Sequence, residues 1–464
     1  MNNELNEKCA VFGIWDGSEA ARQTYFGLFA LQHRGQENSG IATTDGSRLY
    51  SYKASGLVSQ IYTEDVLKEL PGFAAIGHNR YSTSRGLGLE HAQPTVYKEK
   101  VAFAHNGNLP SVEKLIEHLK GKNMVTDDLS DSELMAHAIG SFMDEGLSLP
   151  DAVVKSYPFF TGAFSCVALT LDCLVAFRDS CGVRPLVIGT YENQTVVASE
   201  TCGLRTVGAE FVREVAPGEM VVITKAGMQS VTIAPATPHF DMFEFVYFAR
   251  YDSVMLGKSV YEVRKNFGKI LARESPKEVD IIIPVPETAI PAAIGYSQAV
   301  GVPFEMALVK NRYIHRTFIE PTQTDRDKKV KMKLTPLVET IKGKRVAVVD
   351  DSIVRGTTSQ QIVKMLFEAG ATEVHFMVSS APVRFPDFYG IDTPKQDKLI
   401  SSHKTVEETR AFLGATSLSF LSIDGMIEAT GLPKDQFSLS GFNGVYPIDI
   451  LERKEEIDYN VPQS

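Results

Sequence analysis

Two adjacent acids, Asp350 and Asp351, are the residues of this chain best placed to do chemistry. They follow the apolar run Val346–Val349, which predicts a buried strand, and they precede a turn rich in hydroxyl groups and glycine. The next stretch, Ser359–Gly370, has the pattern of a helix. Backbone N–H groups at a helix start can bind a phosphate, and the two carboxylates can accept hydrogen bonds from ribose hydroxyls, so we predict a site for a phosphorylated sugar. Its residues are Asp350, Asp351, Ser352, Ile353, Val354, Arg355, Gly356, Thr357 and Thr358.

A second set of candidates begins near the front of the chain with Cys9. This cysteine follows a polar octapeptide and opens an apolar segment, and alone it would be typical of a buried structural thiol. Four polar motifs come after it, and their order carries more information than any one of them. They are Leu31–Glu37, Gly77–Thr83, Ala104–Leu109 and Ser130–Glu133.

The composition restricts the classes of protein to consider. The chain has 464 residues, 44% of them hydrophobic, so two or three domains with sizeable cores are expected. The net charge of -10 argues against extended nucleic-acid binding. Five cysteines, an odd number, do not suggest a disulfide framework and favour the reducing cytoplasm. We find neither an apolar run of about 18 residues nor a signal-peptide apolar region, so no membrane span is expected.

The first half of the chain contains many short strand candidates separated by Gly, Asp and Asn turns. This spacing predicts a mainly antiparallel sheet, interrupted by helices at Glu19–Gln32 and Asp131–Glu145. A capping-box pattern, Ser130–Glu133, opens the second helix. The strand candidates are Cys9–Trp15, Ala74–His78, Val101–Ala104, Ser165–Leu171, Leu174–Phe177, Pro185–Ile188, Thr195–Ala198 and Glu219–Thr224.

The second half alternates strands and helices, which is typical of a parallel sheet with crossover helices. Strand candidates are Ile281–Val285, Arg345–Val349 and Glu373–Val378, and a helical pattern spans Ile290–Val300. A turn-rich segment, Thr232–His239, comes before them. We therefore predict a boundary near residues 235–245, with one domain over 9–240 and another over 241–464.

Together the front motifs resemble the glutaminase domain of class II, N-terminal-nucleophile amidotransferases, over nearly all of residues 9–235. The resemblance implies an α+β fold with αββα layers. It also implies that the thiol of Cys9 attacks the glutamine amide, with the α-amine of the same residue as base once residues 1–8 are removed as a propeptide. The residues that match Asn106 and Gly107 supply the oxyanion hole in this family.

Three charged residues are assigned to the glutamine site by the same resemblance. Arg80 matches the arginine that binds the α-carboxylate, and Asp131 matches the acid that binds the α-amino group. Arg34 lies in the Gln-His-Arg-Gly stretch and could bind glutamine or only brace the site. Taken alone, each motif has an ordinary alternative: a surface ion pair for Arg80, a hairpin turn for Asn106-Gly107 and a helix cap for Asp131.

Two further motifs accompany the acidic pair. Asp280–Ala289 is a strand that runs into a Pro-rich turn, and Leu308–Thr317 concentrates basic side chains suited to the leaving pyrophosphate. The charged segment Arg326–Lys333 could close over them, or it could be an ordinary solvated lysine run. Asp350 and Asp351 could also touch a Mg²⁺ ion that substrate phosphates and water mainly hold. The residues assigned to pyrophosphate are Lys310, Arg312, Tyr313 and Arg316.

Both halves in this order, with the stretches Tyr247–Ser253 and Ser417–Ser422, resemble the amidophosphoribosyltransferase family over nearly the whole chain. The back half then has the α/β phosphoribosyltransferase fold with a mainly parallel sheet. The implied reaction converts glutamine, 5-phosphoribosyl-1-pyrophosphate (PRPP) and water into 5-phosphoribosylamine, pyrophosphate and glutamate, the first committed step of purine synthesis. Ammonia is expected to pass between the sites inside the protein. The resemblance also implies inhibition by purine nucleotides and a homotetramer.

Two departures from relatives concern metals. Some members carry a 4Fe–4S cluster on four cysteines, but no cysteine of this chain lies beyond Cys202. Such clusters are held by thiolates, so we predict no iron–sulfur cluster. A serine that contacts the metal in some relatives is Ala289 here, which removes one direct contact. The positions that match the four cluster cysteines are Asp241, Asp387, Ser438 and Gly441.

Three alternatives belong to other classes of protein. A glutamine amidotransferase could feed another phosphosugar acceptor, but the motif around Asp350 argues against it. A base-specific phosphoribosyltransferase could carry a vestigial front domain, in which case Cys9 would be dispensable. An inactive nucleotide-sensing protein would not need the complete set of candidate residues. The simplest alternative for Asp350 and Asp351 is that they lie between an ordinary strand and the polar N-cap of the next helix and bind no ligand.

Overall fold

The computed structural model describes residues 9–80, 89–311, 334–391 and 393–462, and these form a front body and a back body in chain order. The front body contains two antiparallel sheets. Its strands are β1 (Ala10–Trp15), β2 (Asn38–Thr44), β3 (Leu49–Ser55), β4 (Ala74–Arg80), β5 (Thr95–Tyr97), β6 (Val101–Ser111), β7 (Thr161–Leu169), β8 (Leu174–Arg178), β9 (Val187–Tyr191), β10 (Gln194–Ala198), β11 (Glu210–Glu214), β12 (Glu219–Thr224) and β13 (Gly227–Thr232).

The two sheets of the front body stack face to face. One has the strand order β11-β9-β10-β1-β4-β2-β3, and the other has the order β13-β12-β8-β7-β6-β5. Because side chains alternate across a strand, β1 places Val11 between the sheets and Phe12 on the outer face. Val11 shares the inner core with Ala104 of β6 and Val167 of β7. This shared core fixes the position of one sheet relative to the other.

Helices cover the outer face of each sheet. Helices α1 and α7 pack on the sheet that contains β1, and α4, α5 and α6 pack on the sheet that contains β6. The predicted αββα layering is therefore confirmed. The helices are α1 (Ala20–Ala30), α2 (Val58–Ile61), α3 (Glu64–Lys68), α4 (Glu113–Gly121), α5 (Asp131–Asp144), α6 (Leu149–Ser156) and α7 (Thr201–Thr206).

The strand ends differ from the sequence prediction in one place that matters for function. The sequence predicts a strand that ends at Ala104, whereas β6 continues to Ser111. Pairing with β7 carries the strand through Asn106 and Gly107, because Asn106 lies opposite Ser165. The prediction also misses β3 and β13, which are edge strands with mostly polar or exposed residues and so lack an apolar pattern.

The back body is centred on a parallel sheet with the order β17-β20-β21-β22, which confirms the predicted α/β architecture. Its strands are β14 (Phe240–Asp241), β15 (Val254–Met255), β16 (Lys258–Ser259), β17 (Ile281–Pro284), β18 (Leu308–Lys310), β19 (Leu334–Pro336), β20 (Arg345–Asp350), β21 (Glu373–Val378), β22 (Ser417–Phe420) and β23 (Phe437–Ser438). Its helices are α8 (Val260–Glu274), α9 (Ile290–Val300), Val338–Ile341, Thr357–Glu368, Ile400–His403, Val406–Leu413, Ile423–Thr430 and Ser440–Asn443.

The apolar run in β20 is explained by burial on both faces. Val346 and Val348 pack against the helix Thr357–Glu368, and Ala347 and Val349 pack against α8 and α9. Strands of a parallel sheet covered by helices on both sides read as continuous apolar runs. Along the described ranges, no helix combines the length and the apolar character needed to cross a bilayer.

The segment between the two bodies lies along the front body. The N–H groups of Thr237 and His239 donate to the carbonyls of Ser180 and Cys181. A small apolar cluster then joins the bodies, and it consists of Ala163, Cys181, Val183, Phe388, Tyr389 and Ile450. The predicted domain boundary near residues 235–245 falls in this segment and stays a prediction.

A buried ion network also joins the two bodies. Arg34 of the front body donates two hydrogen bonds, of 2.6 and 3.0 Å, to the carboxylate of Glu244 in the back body. It also donates to Glu200, which accepts from His33 at 2.7 Å as well. Burial opposes the ionisation of Glu200, yet His33 and Arg34 hold the pKa of its carboxyl group well below its ordinary value. Arg34 and Glu200 therefore form a charged ion pair in the folded protein.

Arg184 extends this network. Its guanidinium group lies 2.9 Å from the carboxylate of Asp241, 3.2 Å from that of Glu244 and 3.8 Å from that of Asp387. Over the described chain, the network thus places two guanidinium groups, of Arg34 and Arg184, against four carboxyl groups. Burial raises the pKa of Asp241 to about 7, against the opposing charge of Arg184. One proton shared in this cluster would offset one of the two excess negative charges.

Replacing Asp241 with Asn should make the stability of the protein less dependent on pH. A carboxyl group whose pKa is raised by folding stabilises the folded state at low pH, and that contribution is lost as pH rises through the folded pKa. The loss amounts to about 1.4 kcal/mol per pH unit at most, between the unfolded pKa and the folded one. Thermal unfolding of both proteins between about pH 5 and pH 8 measures this. An equal pH dependence in wild type and Asp241→Asn would contradict the assignment.

Candidate active sites

Cys9 and Arg80 meet at one end of the sheet that contains β1. Ala10 pairs with Asn79 in the antiparallel register of β1 and β4. Continuing this register by one residue places Cys9 opposite Arg80, the last residue of β4. The structure therefore brings together the predicted nucleophile and the predicted carboxylate-binding arginine, which are far apart in sequence.

Asn106 and Gly107 lie inside β6, rather than in the hairpin turn that the dipeptide alone would favour. Asn106 is fully buried, and among the described residues neither its Nδ2 nor its Oδ1 has a hydrogen-bond partner. Gly107 has a φ of 155°, and a side chain there would approach the carbonyl oxygen of Ala163 to 1.9 Å. A buried amide without a partner is costly, so this arrangement is typical of groups kept for a ligand.

Asp131 is the first residue of α5, and the predicted capping box at Ser130–Glu133 is confirmed. Its Oδ1 accepts the N–H of Ser132 at 2.8 Å, and its Oδ2 accepts the N–H of Leu109 at 3.2 Å. Leu109 belongs to β6, so the carboxylate is tied directly to the strand that carries Asn106 and Gly107. About 22% of the Asp131 side chain is exposed, which leaves it accessible to a ligand.

Arg34 supports the backbone of Cys9, the predicted nucleophile. Its Nε donates to the carbonyl oxygen of Cys9 at 3.4 Å, and its other donors are used by Glu200 and Glu244. A guanidinium group engaged in this way has little left for a glutamine carboxylate. The geometry fits the bracing alternative better than direct glutamine binding. Two residues after Cys9, the N–H of Val11 donates to the hydroxyl of Ser199 at 2.9 Å.

Four of the six candidate residues of the front body line one small cavity, and Asn106 and Arg34 lie outside its wall. Cys9, Arg80, Gly107 and Asp131 all contribute to its wall. Sequence reasoning misses His91 and Gln93, because neither belongs to a motif and both lie just before the short strand β5, whereas the other lining residues belong to the motifs Ala104–Leu109 and Ser130–Glu133. The additional lining residues are His91, Gln93, His105, Asn108, Ser130 and Ser132.

The acidic pair lies where β20 ends, at the carboxyl edge of the parallel sheet. Asp350 is the last residue of the strand, and both Asp350 and Asp351 are about 8% exposed. The N–H of Asp351 donates to Asp350 Oδ1 at 2.9 Å, and the hydroxyl of Ser352 donates to Asp351 Oδ1 at 2.7 Å. Ligands of open α/β sheets bind at this edge.

Apolar anchors hold the loop that follows the acidic pair. Ile353 and Val354 are buried, and the carbonyl of Val354 accepts the N–H of Ile400 at 2.8 Å. Gly356 has a φ of 77°, and a side chain there would lie 2.8 Å from Ile400 Cδ1. The backbone conformation favours glycine at this position, because other residues are strained at this φ.

The loop ends at a helix start with unused polar groups. Thr357 opens the helix Thr357–Glu368, and its Oγ1 is buried without a hydrogen-bond partner among the described residues. The first N–H groups of a helix have no partner within the helix and carry a partial positive charge. This end of the loop can therefore receive a phosphate group, as the sequence predicts.

Of the residues predicted to bind pyrophosphate, Lys310 is described: it ends β18 and pairs with Leu334 of β19. Arg312, Tyr313, Arg316 and the segment Arg326–Lys333 lie outside the described residues. The pairing of β18 with β19 places the described residues on either side of the stretch 312–333 next to each other.

The protein alone offers few ligands for a metal near the acidic pair. Ala289 is buried at the start of α9 and presents a methyl group. Within the described ranges, no three His, Cys, Asp or Glu side chains form a group that could hold an ion by themselves. The carboxylates of Asp350 and Asp351 fit a Mg²⁺ ion that takes its other ligands from substrate phosphates and water.

The positions matching the cluster cysteines of some relatives come close together. Asp241 pairs with Ser438 in the short parallel pair β14–β23, and Asp387 reaches the same buried Arg184 as Asp241. The carbonyl of Gly441 accepts the N–H groups of Arg384 and Phe385. Carboxylates, a hydroxyl and a glycine thus occupy these positions, beside an arginine.

The two bodies are those of a glutamine amidotransferase joined to a phosphoribosyltransferase. A family model described as a glutamine amidotransferase domain matches residues 78–206. A second model, described as a phosphoribosyl transferase domain, matches residues 256–396.

Relatives match nearly the whole chain. Amidophosphoribosyltransferase from Synechococcus elongatus is 48% identical over 96% of this chain and 92% of its own length, and that from Bacillus subtilis is 44% identical over 97% and 96%. A structure of the Bacillus subtilis glutamine PRPP amidotransferase complexed with ADP and GMP superposes with a TM-score of 0.90 at 43% identity, covering 96% of this chain and 98% of that one. The chain belongs to the amidophosphoribosyltransferase family. It is a pentosyltransferase that uses glutamine as the nitrogen source for PRPP in purine synthesis.

Replacing Asn106 with Ala should abolish most glutamine use without destabilising the protein. Loss of one oxyanion donor typically lowers the rate by about 10²–10³. The amide makes no internal hydrogen bond, so its removal leaves no described group unpaired. Asn79→Ala is the matched control, because Asn79 is equally buried but donates to the carbonyl of Leu28 at 2.7 Å. The midpoint of thermal unfolding should be lowered by Asn79→Ala and unchanged or raised by Asn106→Ala; the reverse order would show that the Asn106 amide supports the fold rather than a ligand.

Proposed function

We propose that Cys9 is the nucleophile of the glutamine site and that the loop Asp350–Thr358 binds PRPP. The observation that carries the proposal is the single cavity lined by Cys9, Arg80, Gly107 and Asp131. Its walls combine a thiol, a cation, an anion and a backbone N–H group, which are the groups that recognition and cleavage of free glutamine need. Cys166, Cys173, Cys181 and Cys202 are buried within the front body and are assigned structural roles.

The glutamine reaction is proposed to proceed through a thioester. The α-amine of Cys9 takes the proton of the thiol, and sulfur attacks the amide carbon. The oxygen that becomes negative receives hydrogen bonds from Asn106 Nδ2 and the N–H of Gly107. As this intermediate collapses, the α-ammonium group of Cys9 gives the proton to the leaving nitrogen, the C–N bond breaks and ammonia is released; water then hydrolyses the thioester to glutamate and frees the thiol.

Two opposite charges are proposed to select free glutamine over glutamine within a peptide. Arg80 pairs with the α-carboxylate, and Asp131 pairs with the α-ammonium group. Neither charge exists on a residue inside a polypeptide chain. Arg34 is assigned to support Cys9 from behind, through the 3.4 Å hydrogen bond to its carbonyl oxygen.

In the back body, Asp350 and Asp351 are proposed to bind the ribose hydroxyls of PRPP while the start of the helix Thr357–Glu368 binds its 5-phosphate. Ammonia attacks the anomeric carbon and pyrophosphate leaves. Mg²⁺ bound to the pyrophosphate would neutralise its developing charge. Lys310, together with Arg312, Tyr313 and Arg316, is assigned to the pyrophosphate on the basis of sequence.

Regulation, assembly and setting are also proposed rather than observed. The structure of one relative is described as complexed with ADP and GMP, and that of another as the allosteric regulatory enzyme of purine biosynthesis. We propose that purine nucleotides inhibit this protein and that it forms a homotetramer without an iron–sulfur cluster. The five free cysteines support a reducing, cytoplasmic setting. The domains are assigned to residues 9–240 and 241–464.

Replacing Cys9 with Ala should abolish glutamine-dependent synthesis and spare the reaction with added ammonia. The measurement follows glutamate and pyrophosphate release together, in the presence of Mg²⁺, with glutamine, PRPP and ammonia omitted in turn. Cys202→Ala serves as the control, because Cys202 is a buried thiol outside the cavity. Glutamine use that survives in Cys9→Ala would show that the nucleophile is assigned wrongly.

Residues 1–8 should be absent from the active protein, since the proposed base is a free α-amine on Cys9. Intact-mass analysis of purified active protein tests this directly. The expected mass corresponds to a chain that starts at Cys9. A fully active protein that retains Met1 would remove the amine from the mechanism.

A further inference from the structure

Gln93 connects the two parts of the glutamine site that must hold opposite ends of the substrate. Its side chain is about 5% exposed, and it lines the same cavity as Cys9. Its Oε1 accepts the N–H of His105 at 2.7 Å, and its Nε2 donates to the hydroxyl of Ser132 at 2.9 Å. His105 directly precedes Asn106 on β6, and Ser132 directly follows Asp131 on α5.

The hydroxyl of Ser132, which accepts from Gln93, also contacts Asp131. It donates to Asp131 Oδ1 at 3.4 Å, and the N–H of Ser132 donates to the same oxygen at 2.8 Å. Nδ1 of His105 lies 3.2 Å from the same hydroxyl. One hydroxyl has one donor and two acceptor positions, so it can serve Gln93, His105 and Asp131 together.

The backbone of Gln93 is itself held firmly. A side chain at Gly40 of β2 would lie 2.2 Å from the carbonyl oxygen of Gln93, so the two backbones are in close contact. The preceding carbonyl, of Ala92, accepts a hydrogen bond from Lys53 Nζ at 2.7 Å. Gln93 is therefore anchored on the sheet that contains β1 and reaches across to β6 and α5.

We propose that Gln93 is the positioning residue that sets the distance between the oxyanion donors and the carboxylate for the α-amino group. This inference rests on the proposed roles of Asn106, Gly107 and Asp131. Glutamine must reach both groups at once, and asparagine is shorter by one methylene group. A fixed separation thus gives both efficient cleavage and selection of glutamine by length.

Gln93→Leu removes both hydrogen bonds at nearly constant volume. We expect the KM for glutamine to rise at least tenfold and the kcat of glutamine cleavage to fall, because Asp131 and the oxyanion donors both lose a fixed position. The ratio of glutamine to asparagine cleavage should fall as well. The rate with added ammonia should stay within twofold of wild type, as should alkylation of Cys9 by iodoacetamide, which needs neither end of the glutamine site.

Gln194→Leu is the matched control. Gln194 is also a buried glutamine, and its Oε1 accepts a hydrogen bond from the side-chain amide of Gln23 at 2.9 Å. It pairs near the opposite end of β1, about 20 Å from Cys9 at the usual rise of a strand. Its replacement should leave the KM for glutamine and the selectivity unchanged.

Ser132→Ala tests the same path by a smaller change. It should raise the KM for glutamine several-fold, and Gln93→Leu with Ser132→Ala should raise it by less than the product of the two single effects, because the two changes share the hydrogen bond between Gln93 Nε2 and the Ser132 hydroxyl. If Gln93→Leu also lowers the rate with ammonia, its effect is not confined to the glutamine site. The KM for glutamine and the selectivity of Ser132→Ala then test the inference. Wild-type KM and selectivity in Gln93→Leu or in Ser132→Ala would overturn the inference, while the assignment of Cys9 would still depend only on Cys9→Ala.

Discussion

A charged group buried inside a protein needs a partner of opposite charge. For Glu244 of the back body, these partners are arginines of the front body, and the ion pairs join the two bodies. Glu244 is fully buried and accepts hydrogen bonds from both Arg34 and Arg184 of the front body. Removing one partner from a buried ion pair typically costs about 3–5 kcal/mol, because an uncompensated charge remains. Arg34 also holds the carbonyl of Cys9. The support of the proposed nucleophile therefore includes a residue of the phosphoribosyltransferase body.

Strand β6, which carries Asn106 and Gly107, is also supported by the back body. Asn108 donates its side-chain amide to the carbonyl of Phe388 at 2.9 Å. A side chain at Gly390 would lie 2.8 Å from the carbonyl group of Gly107, so the two backbones touch. The back body therefore contacts Arg34, which holds the carbonyl of Cys9, and it also contacts the strand that carries the proposed oxyanion donors.

The parts of this structure that depend on local patterns could be predicted from the sequence. A few neighbouring residues are enough to predict each of three local features. These are the apolar run before Asp350, the turn with Gly356 and the capping box before α5. The extension of β6 could not be predicted, because Asn106-Gly107 is typical of a turn and pairing with β7 outweighs that preference. The partners of Arg34 could not be predicted either, since Glu200 and Glu244 lie 166 and 210 residues away. Gln93 acts through side-chain hydrogen bonds that no sequence pattern marks.

These contacts between the bodies support the proposal that the two sites form one unit, in which nitrogen passes from Cys9 to the sugar bound at Asp350 without entering the solvent. An isotope competition tests it: the protein receives glutamine labelled with ¹⁵N in its amide, together with PRPP and an excess of unlabelled ammonium. Mass spectrometry of the trapped phosphoribosylamine then determines the isotope in the product. The product should carry the label in nearly full proportion. Dilution of the label to the composition of the ammonium pool would mean that the nitrogen leaves the protein between the two sites, contrary to the proposal.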